Sequence, residues 1–219
     1  MNTFVQKINE VQITRAMPNC LRCGLPEKVC ICSCISELKH QELKINLHVL
    51  LHEKELSRNT NTSRLMDFIF DHGVSYYLWE RKSPPQDLMK IIESDTESIY
   101  LLYPEDASSK VYTPQEVISY NKRNDTNIHV LILDGTWQEA RKMLNRSDYL
   151  KKLPRLKIDV QITSGFKLRR NQESGNLCTS EAVYHALKQL GDLESGEKLQ
   201  SLTDLFLNRY EIGRGGHGL

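Results

Sequence analysis

The 219-residue chain, with 39% hydrophobic and 26% charged residues, 11 glycines and 7 prolines, has the makeup of a globular protein and excludes collagen-like, coiled-coil and disordered classes. Its length suggests one domain with room for a small appended module, and lets it bury roughly 70% of its unfolded surface. The net charge of +1 hides an asymmetry, because residues 141–170 hold ten basic side chains against Asp148 and Asp159, a local excess of eight that fits either a solvated surface or a face for an anionic partner.

The first residues, 1–19, carry Lys7, Glu10 and Arg15 among apolar neighbours and form no signal-peptide core, so a cytoplasmic location is expected. The longest apolar runs, 130–133 and the His-interrupted 47–51, fall far short of the roughly 20 residues that cross a bilayer, and no membrane segment is expected.

Five of the six cysteines then fall between residues 20 and 34, as Cys20-Leu21-Arg22-Cys23-Gly24 followed by Cys30-Ile31-Cys32-Ser33-Cys34. A tight cluster favours a metal over a disulfide scaffold. Two cysteines two residues apart can share one cation, and the following glycine permits the tight turn of a zinc knuckle. Three candidates compete for the remaining two positions; Cys30 and Cys32 are preferred, Cys34 being the alternative. Structural zinc is the expected occupant, with an iron–sulfur site or plain surface thiols as the other readings. Residues 1–40 are therefore expected to form an N-terminal segment with a Cys-rich zinc module, and 41–219 the main domain.

Beyond the cysteines, strand-like and helix-like runs alternate. The runs 44–51, 74–79, 98–103 and 128–133 are short, apolar and rich in Val, Ile and Tyr, as buried strands are. Helical stretches are expected near 64–71, 85–94 and 114–122, the second capped by Ser83 and the third opened by the capping box of Thr113 and Glu116 with Pro114 at its first position. This alternation predicts an α/β domain around a mainly parallel sheet. Residues 157–163 read as a further strand, and 180–190 and 196–210 as helices.

Three polar segments sit where such sheets bind ligands. The first is the loop 52–65, with only two hydrophobes in fourteen residues and Thr62 or Ser63 as a helix cap. In the second, the strand 128–133 runs into Asp134, Gly135 turns the chain, and Thr136 with Glu139 forms another capping box. Asp134 thus stands at a strand's carboxyl end beside a helix amino terminus, which favours its ionised form. There it can take a proton, bind a cationic ligand or act as a second helix cap. Trp137 shares a helical face with Ala140 and Leu144, which makes it a core residue or a ligand contact. The third segment holds Lys167, Leu168, Arg169 and Arg170, able to meet phosphate, and runs on through Leu177-Cys178-Thr179-Ser180-Glu181-Ala182, where Thr179 or Ser180 can cap the next helix.

With these residues the chain resembles the DTW-domain family of tRNA-uridine aminocarboxypropyltransferases, named for the Asp-x-Thr-Trp that stands here as Asp134, Thr136 and Trp137. The resemblance includes the cysteine cluster, the pattern of His52, Glu55, Arg58, Asn61, Thr62 and Leu65, and the pairings Leu168-Arg169-Arg170 and Leu177-x-Thr179-x-Glu181-Ala182. Glu53 and Asn59 replace usual prolines, and Cys178 a usual serine.

The resemblance implies S-adenosylmethionine (SAM) as substrate and a SPOUT-like fold of the trefoil-knot type, a mainly parallel sheet with helices on both faces and a knotted cofactor loop. It implies transfer of the 3-amino-3-carboxypropyl group to N3 of a tRNA uridine, with release of methylthioadenosine. Asp134 is then the candidate general base. Tyr103, Pro104 and Trp137, together with Leu168, Leu177, Thr179 and Glu181, are expected around SAM. His52 and Arg58, with the basic Arg141, Lys142, Lys167, Arg169 and Arg170, are expected against tRNA. A SAM-dependent RNA methyltransferase and a non-enzymatic zinc-containing RNA-binding protein are the alternatives. Neither Gly-x-Gly-x-x-Gly nor Gly-x-x-x-x-Gly-Lys-Ser/Thr occurs, which argues against nicotinamide and nucleoside-triphosphate enzymes.

Overall fold

In the structure, a computed structural model, residues 3–10, 19–35, 41–94, 97–106, 109–160 and 177–214 are described. The elements are α1 (Phe4–Glu10), β1 (Gln41–Leu51), β2 (Phe70–Leu78), α2 (Gln86–Ile92), β3 (Glu97–Leu102), β4 (Val111–Tyr112), α3 (Pro114–Asn124), β5 (Asn127–Asp134), α4 (Trp137–Asn145), α5 (Asp148–Lys151), β6 (Arg155–Leu156), α6 (Thr179–Gln189) and α7 (Leu193–Arg214). The six strands form one sheet in the order β2-β1-β5-β3-β6-β4, and every pairing is parallel. The sheet and its α/β layering agree with the alternation in the sequence.

Strand alternation sends successive side chains to opposite faces, and each face has its own core. Ile45, Leu47, Val49 and Leu51 of β1 and Val130 and Ile132 of β5 belong to one cluster, with Val117 of α3, Val183 and Leu187 of α6, Leu199 and Phe206 of α7, and Phe4 and Ile8 of α1. Leu50, Leu131 and Leu133 face the other way, onto Leu88 of α2, Met143 and Leu144 of α4 and Leu150 of α5. Strands buried on both faces read as continuous apolar runs, which is why β1 and β5 are legible without strict alternation. Among the described residues no helix is long and apolar enough to cross a membrane.

Both capping boxes form: Thr113 Oγ1 accepts the Glu116 amide, Thr136 Oγ1 accepts the Glu139 amide, and each glutamate accepts the cap's own N–H. Other expectations shift. The helix expected at 64–71 is a 3-10 segment, Ser63–Phe68, and β2 begins at Phe70. Phe68, Ile69 and Phe70 are all buried, and a short apolar run of this kind has no period to separate helix from strand. Ser83 does not cap α2, whose first turn follows Pro85 with no side-chain cap, because Pro84 and Pro85 hold the backbone extended ahead of the helix. The cap of α6 is Cys178 in place of Thr179 or Ser180, its amide bonded to Glu181 at 2.8 Å. The strand expected at 157–163 does not form over 157–160; β6 is Arg155–Leu156, just before it, and 161–163 lie outside the described residues. The knotted loop implied by the resemblance is not traced, since 161–176, between β6 and α6, falls outside them.

Candidate functional site

The carboxyl end of β5 lies centrally, between β1 and β3, and carries Asp134. In open parallel sheets this is the crevice side. Asp134 is only 1% exposed. Its Oδ2 accepts from Asn61 Nδ2 at 2.6 Å and Ser63 Oγ at 2.8 Å, and its Oδ1 from Thr179 Oγ1 at 2.6 Å. The helix-cap alternative is thereby displaced: Thr136 caps α4, and the carboxylate gathers the loop after β1 and the start of α6. Burial, then the neighbouring Glu55 carboxylate, raise the Asp134 pKa to about 6, against the opposing pull of its three hydrogen bonds.

A second layer of charge surrounds it. Glu55, fully buried, accepts from Asn61 Nδ2 at 3.0 Å and is paired with Arg58. The Arg58 guanidinium also forks onto Glu139, at 2.6 and 2.8 Å, a bidentate pair that ties the loop to the first turn of α4. Burial works against ionisation of Glu139, but Arg58 and the Thr136 amide and hydroxyl outweigh it and hold the carboxyl down at about 2. His52 is buried, stacked on Trp79 with ring centroids 5.8 Å apart, and its Nδ1 accepts the Lys54 amide at 3.3 Å. Burial lowers its pKa, so the ring is neutral with its proton on Nε2. Gly135 packs closely: a Cβ there would stand 3.1 Å from Glu139 Cβ, tight enough to make that side chain shift, and 3.5 Å from His52 Cβ, an ordinary contact.

Trp137 does not enter the core. It is 44% exposed at the first position of α4, its ring centroid 6.0 Å from that of Tyr103 just past β3. Pro104 is exposed, and Leu177 and Thr179 are half-buried. Glu181 is buried and occupied by the Cys178 amide. Arg141 and Lys142 are exposed on α4, whereas Lys167, Leu168, Arg169 and Arg170 lie outside the described residues. Arg155, counted in the basic stretch, is buried at 1% exposure and donates to the Leu150 and Leu153 carbonyls, so it does not belong to an anion-binding face. Ser63 and Glu139 were legible only as helix-end residues, and their roles around Asp134 and Arg58 appear only in the fold.

The four sulfurs of Cys20, Cys23, Cys30 and Cys32 lie within 4.8 Å of one another, with Cys20–Cys32 and Cys23–Cys30 each at 3.6 Å. Zinc–sulfur bonds of about 2.3 Å in a tetrahedron put sulfurs roughly 3.8 Å apart, so this donor set fits Zn²⁺, and Cys34, exposed, is not in the cluster. Gly24 provides the turn with φ +81°, where a Cβ would stand 2.6 Å from the Arg64 guanidinium. Leu25, Ile31 and Cys23 are buried in the same core as β1, and Arg22 lies over the Phe68 ring at 4.4 Å.

A DTW-domain model matches residues 17–211. The tRNA-uridine aminocarboxypropyltransferase 2 of Mus musculus is 22% identical over 181 residues, covering 82% of this chain and 59% of that protein. Its namesake in Drosophila melanogaster is 25% identical over 175 residues, covering 78% and 66%. The chain thus spans about three fifths to two thirds of the length of these relatives. Among solved structures, the SAM-dependent rRNA:acp-transferase Tsr3 from Vulcanisaeta distributa aligns with a TM-score of 0.47 and 17% identity, over 78% of this chain and 80% of that one.

Proposed function

Because the chain belongs to the DTW-domain family, we propose that it transfers the 3-amino-3-carboxypropyl group of SAM to N3 of a uridine in tRNA. The observation that carries this reading is a buried carboxylate, Asp134, at the carboxyl end of the central strand, followed by the exposed Trp137 paired with the half-buried Tyr103 at the end of the neighbouring strand. A flat adenine and a sulfonium are the ligands such a pair accommodates, by stacking and by cation–π attraction. Tyr103, Pro104, Trp137, Leu168, Leu177 and Thr179 surround the SAM site in this reading, and Glu181, buried behind them, holds the start of α6 through the Cys178 amide. The outer edge of Arg58 and the basic Arg141, Lys142, Lys167, Arg169 and Arg170 face the RNA, whereas His52, expected there from the sequence, is buried against Trp79 and supports the loop from behind.

In the reaction the bond from sulfur to the methionine γ-carbon breaks as that carbon bonds to N3, and the sulfur keeps the electron pair in methylthioadenosine. Orientation selects the γ-carbon over the methyl. The N3 proton goes to the protein. Asp134 is reached from the crevice through Thr179, whose half-buried hydroxyl gives its proton to Oδ1 as it takes one from N3. A carboxyl raised to about 6 is a stronger base than an ordinary one and is still ionised at neutral pH. The four thiolates would hold a structural zinc, since four protein ligands leave no open position for chemistry.

The test is mass spectrometry of nucleosides from tRNA incubated with the protein and SAM. Aminocarboxypropyl-uridine with methylthioadenosine is the expected result. S-adenosylhomocysteine in its place identifies a methyltransferase, and absence of turnover removes the enzymatic reading.

A further inference from the structure

A second concave site lies away from Asp134, and no step above uses it. It is a cavity of about 590 Å³ walled by α2, α3, α5, β3 and β4, with Tyr100, Tyr112, Tyr120 and Tyr149 and the lysines Lys110 and Lys152 among its lining residues. Its volume is within the range of roughly 300–1,000 Å³ of small-ligand clefts. Ser98, at its floor, pairs with Ile128, six residues before Asp134, so the cavity stands about 20 Å along the strands from the carboxylate.

Three features give it a chemistry. Tyr120 is 45% exposed and offers its ring to a flat partner, while Tyr112 is half-buried in a T-shaped pair with Tyr100 at 5.6 Å. Lys110 lies over the Tyr112 ring at 5.1 Å, and Lys152, just past α5, is a further exposed lining residue, with the exposed Glu93 as the acidic one. The cavity also meets the edge of β3: among the described residues β6 pairs with β3 at Leu101 alone, whose amide bonds the Pro154 carbonyl, and strand alternation turns the amide and carbonyl of Ile99, a lining residue, the same way. Ring faces, cations and an outward backbone donor and acceptor together match a nucleotide: a base to stack and to bond on its edge, and a phosphate to neutralise.

We propose that this groove binds an unstacked nucleotide of the substrate RNA, its base against Tyr120 and its phosphate neutralised by Lys110 and Lys152. The proposal rests on the RNA partner of the reading above, and it makes the groove a docking site separate from the transfer site. An extended peptide adding to the β3 edge is the competing occupant. Two exposed lysines beside the exposed Tyr120 ring favour RNA.

The experiment measures binding of fluorescent oligouridylate to the full chain, without SAM, by anisotropy across a salt series. Tyr120→Ala should weaken binding roughly 5- to 100-fold, the range of one lost base stack. Lys110→Ala should flatten the slope of log affinity against log salt by about 0.7. Both side chains are at the surface, and an unchanged melting temperature and unchanged SAM binding verify that fold and transfer site are intact. Parental affinity and slope in both variants would overturn the proposal, as would displacement of a bound peptide with no effect on RNA. Groove-dependent binding in a protein that transfers nothing would sink only the enzymatic reading; transfer with groove-independent binding would sink only this one.

Discussion

Replacing Asp134 by Asn separates the chemistry of the carboxylate from its place in the fold. The amide is nearly isosteric. Its oxygen can keep the bonds from Asn61 and Ser63, and its NH₂ can donate to Thr179, whose hydroxyl turns to accept. In the native protein the carboxyl pKa is raised from 3.8 to about 6, burial being the main cause and Glu55 the second. A raised carboxyl pKa means that the folded state binds the proton more tightly than the unfolded one. The ionised group therefore disfavours folding at pH values above about 6, and this is relieved as pH falls toward 4. Two pK units correspond to about 3 kcal/mol, the upper range of what Asp134→Asn should gain in stability at pH 7.5. Turnover should move the other way. Loss of the base lowers the single-turnover rate at saturating SAM by about 10²- to 10⁴-fold, with little change in SAM affinity. The parental rate should fall tenfold per unit below about pH 6 as the carboxylate protonates, and the variant should lack that limb. Rapid-quench assays from pH 5 to 8, with urea titrations of both proteins, test the two arms. A folded variant transferring at the parental rate would remove Asp134 from the mechanism. A variant destabilised by several kcal/mol would show that the ionised carboxylate is needed as a structural clamp.

Further outcomes follow from the geometry. Cys23→Ser should lower the zinc content measured by elemental analysis from about one per chain and loosen residues 19–35 in hydrogen exchange, since all four sulfurs share one site; full zinc in the variant would refute the ligand set. Trp137→Ala should weaken SAM binding roughly tenfold, read by calorimetry, and leave stability nearly unchanged because the ring is 44% exposed; a large loss of stability instead would return Trp137 to the core. His48, whose Nε2 meets His129 at 2.8 Å and Nδ1 the Tyr77 hydroxyl at 3.2 Å, is depressed to about 3 by burial first and His129 second. Its neutral ring contributes stability that is complete above about pH 6.5 and is lost as pH falls toward 3. Between pH 7 and 4.5 this amounts to about 2–3 kcal/mol in urea titrations, and His48→Gln should remove that part of the pH dependence; the same dependence in the variant would refute the assignment.

Much of this protein is written in short-range signals. The apolar runs of β1 and β5, the capping boxes at Thr113 and Thr136, the strand end at Asp134 and the spacing of Cys20, Cys23, Cys30 and Cys32 all involve residues within about a dozen positions of each other, and backbone hydrogen bonding and metal geometry act at that range. Tertiary structure decided what no local period carries. Asn61, Ser63 and Thr179 reach Asp134 from 73, 71 and 45 residues away, and only the parallel order of the sheet brings the loop after β1 and the first residue of α6 to one carboxylate. Trp137 carries the helical spacing of a core residue, yet it lies on the first turn of α4, beyond the end of the sheet, and meets Tyr103 in place of the core. Arg155 reads as one of ten like charges but is drawn inside by the carbonyls that end α5 and precede β6. Burial depends on which layer covers a residue, and layers are set by strand order. Strand order is a property of the whole chain, and so the sequence determined the elements and their chemistry while the fold determined which of those side chains stand together.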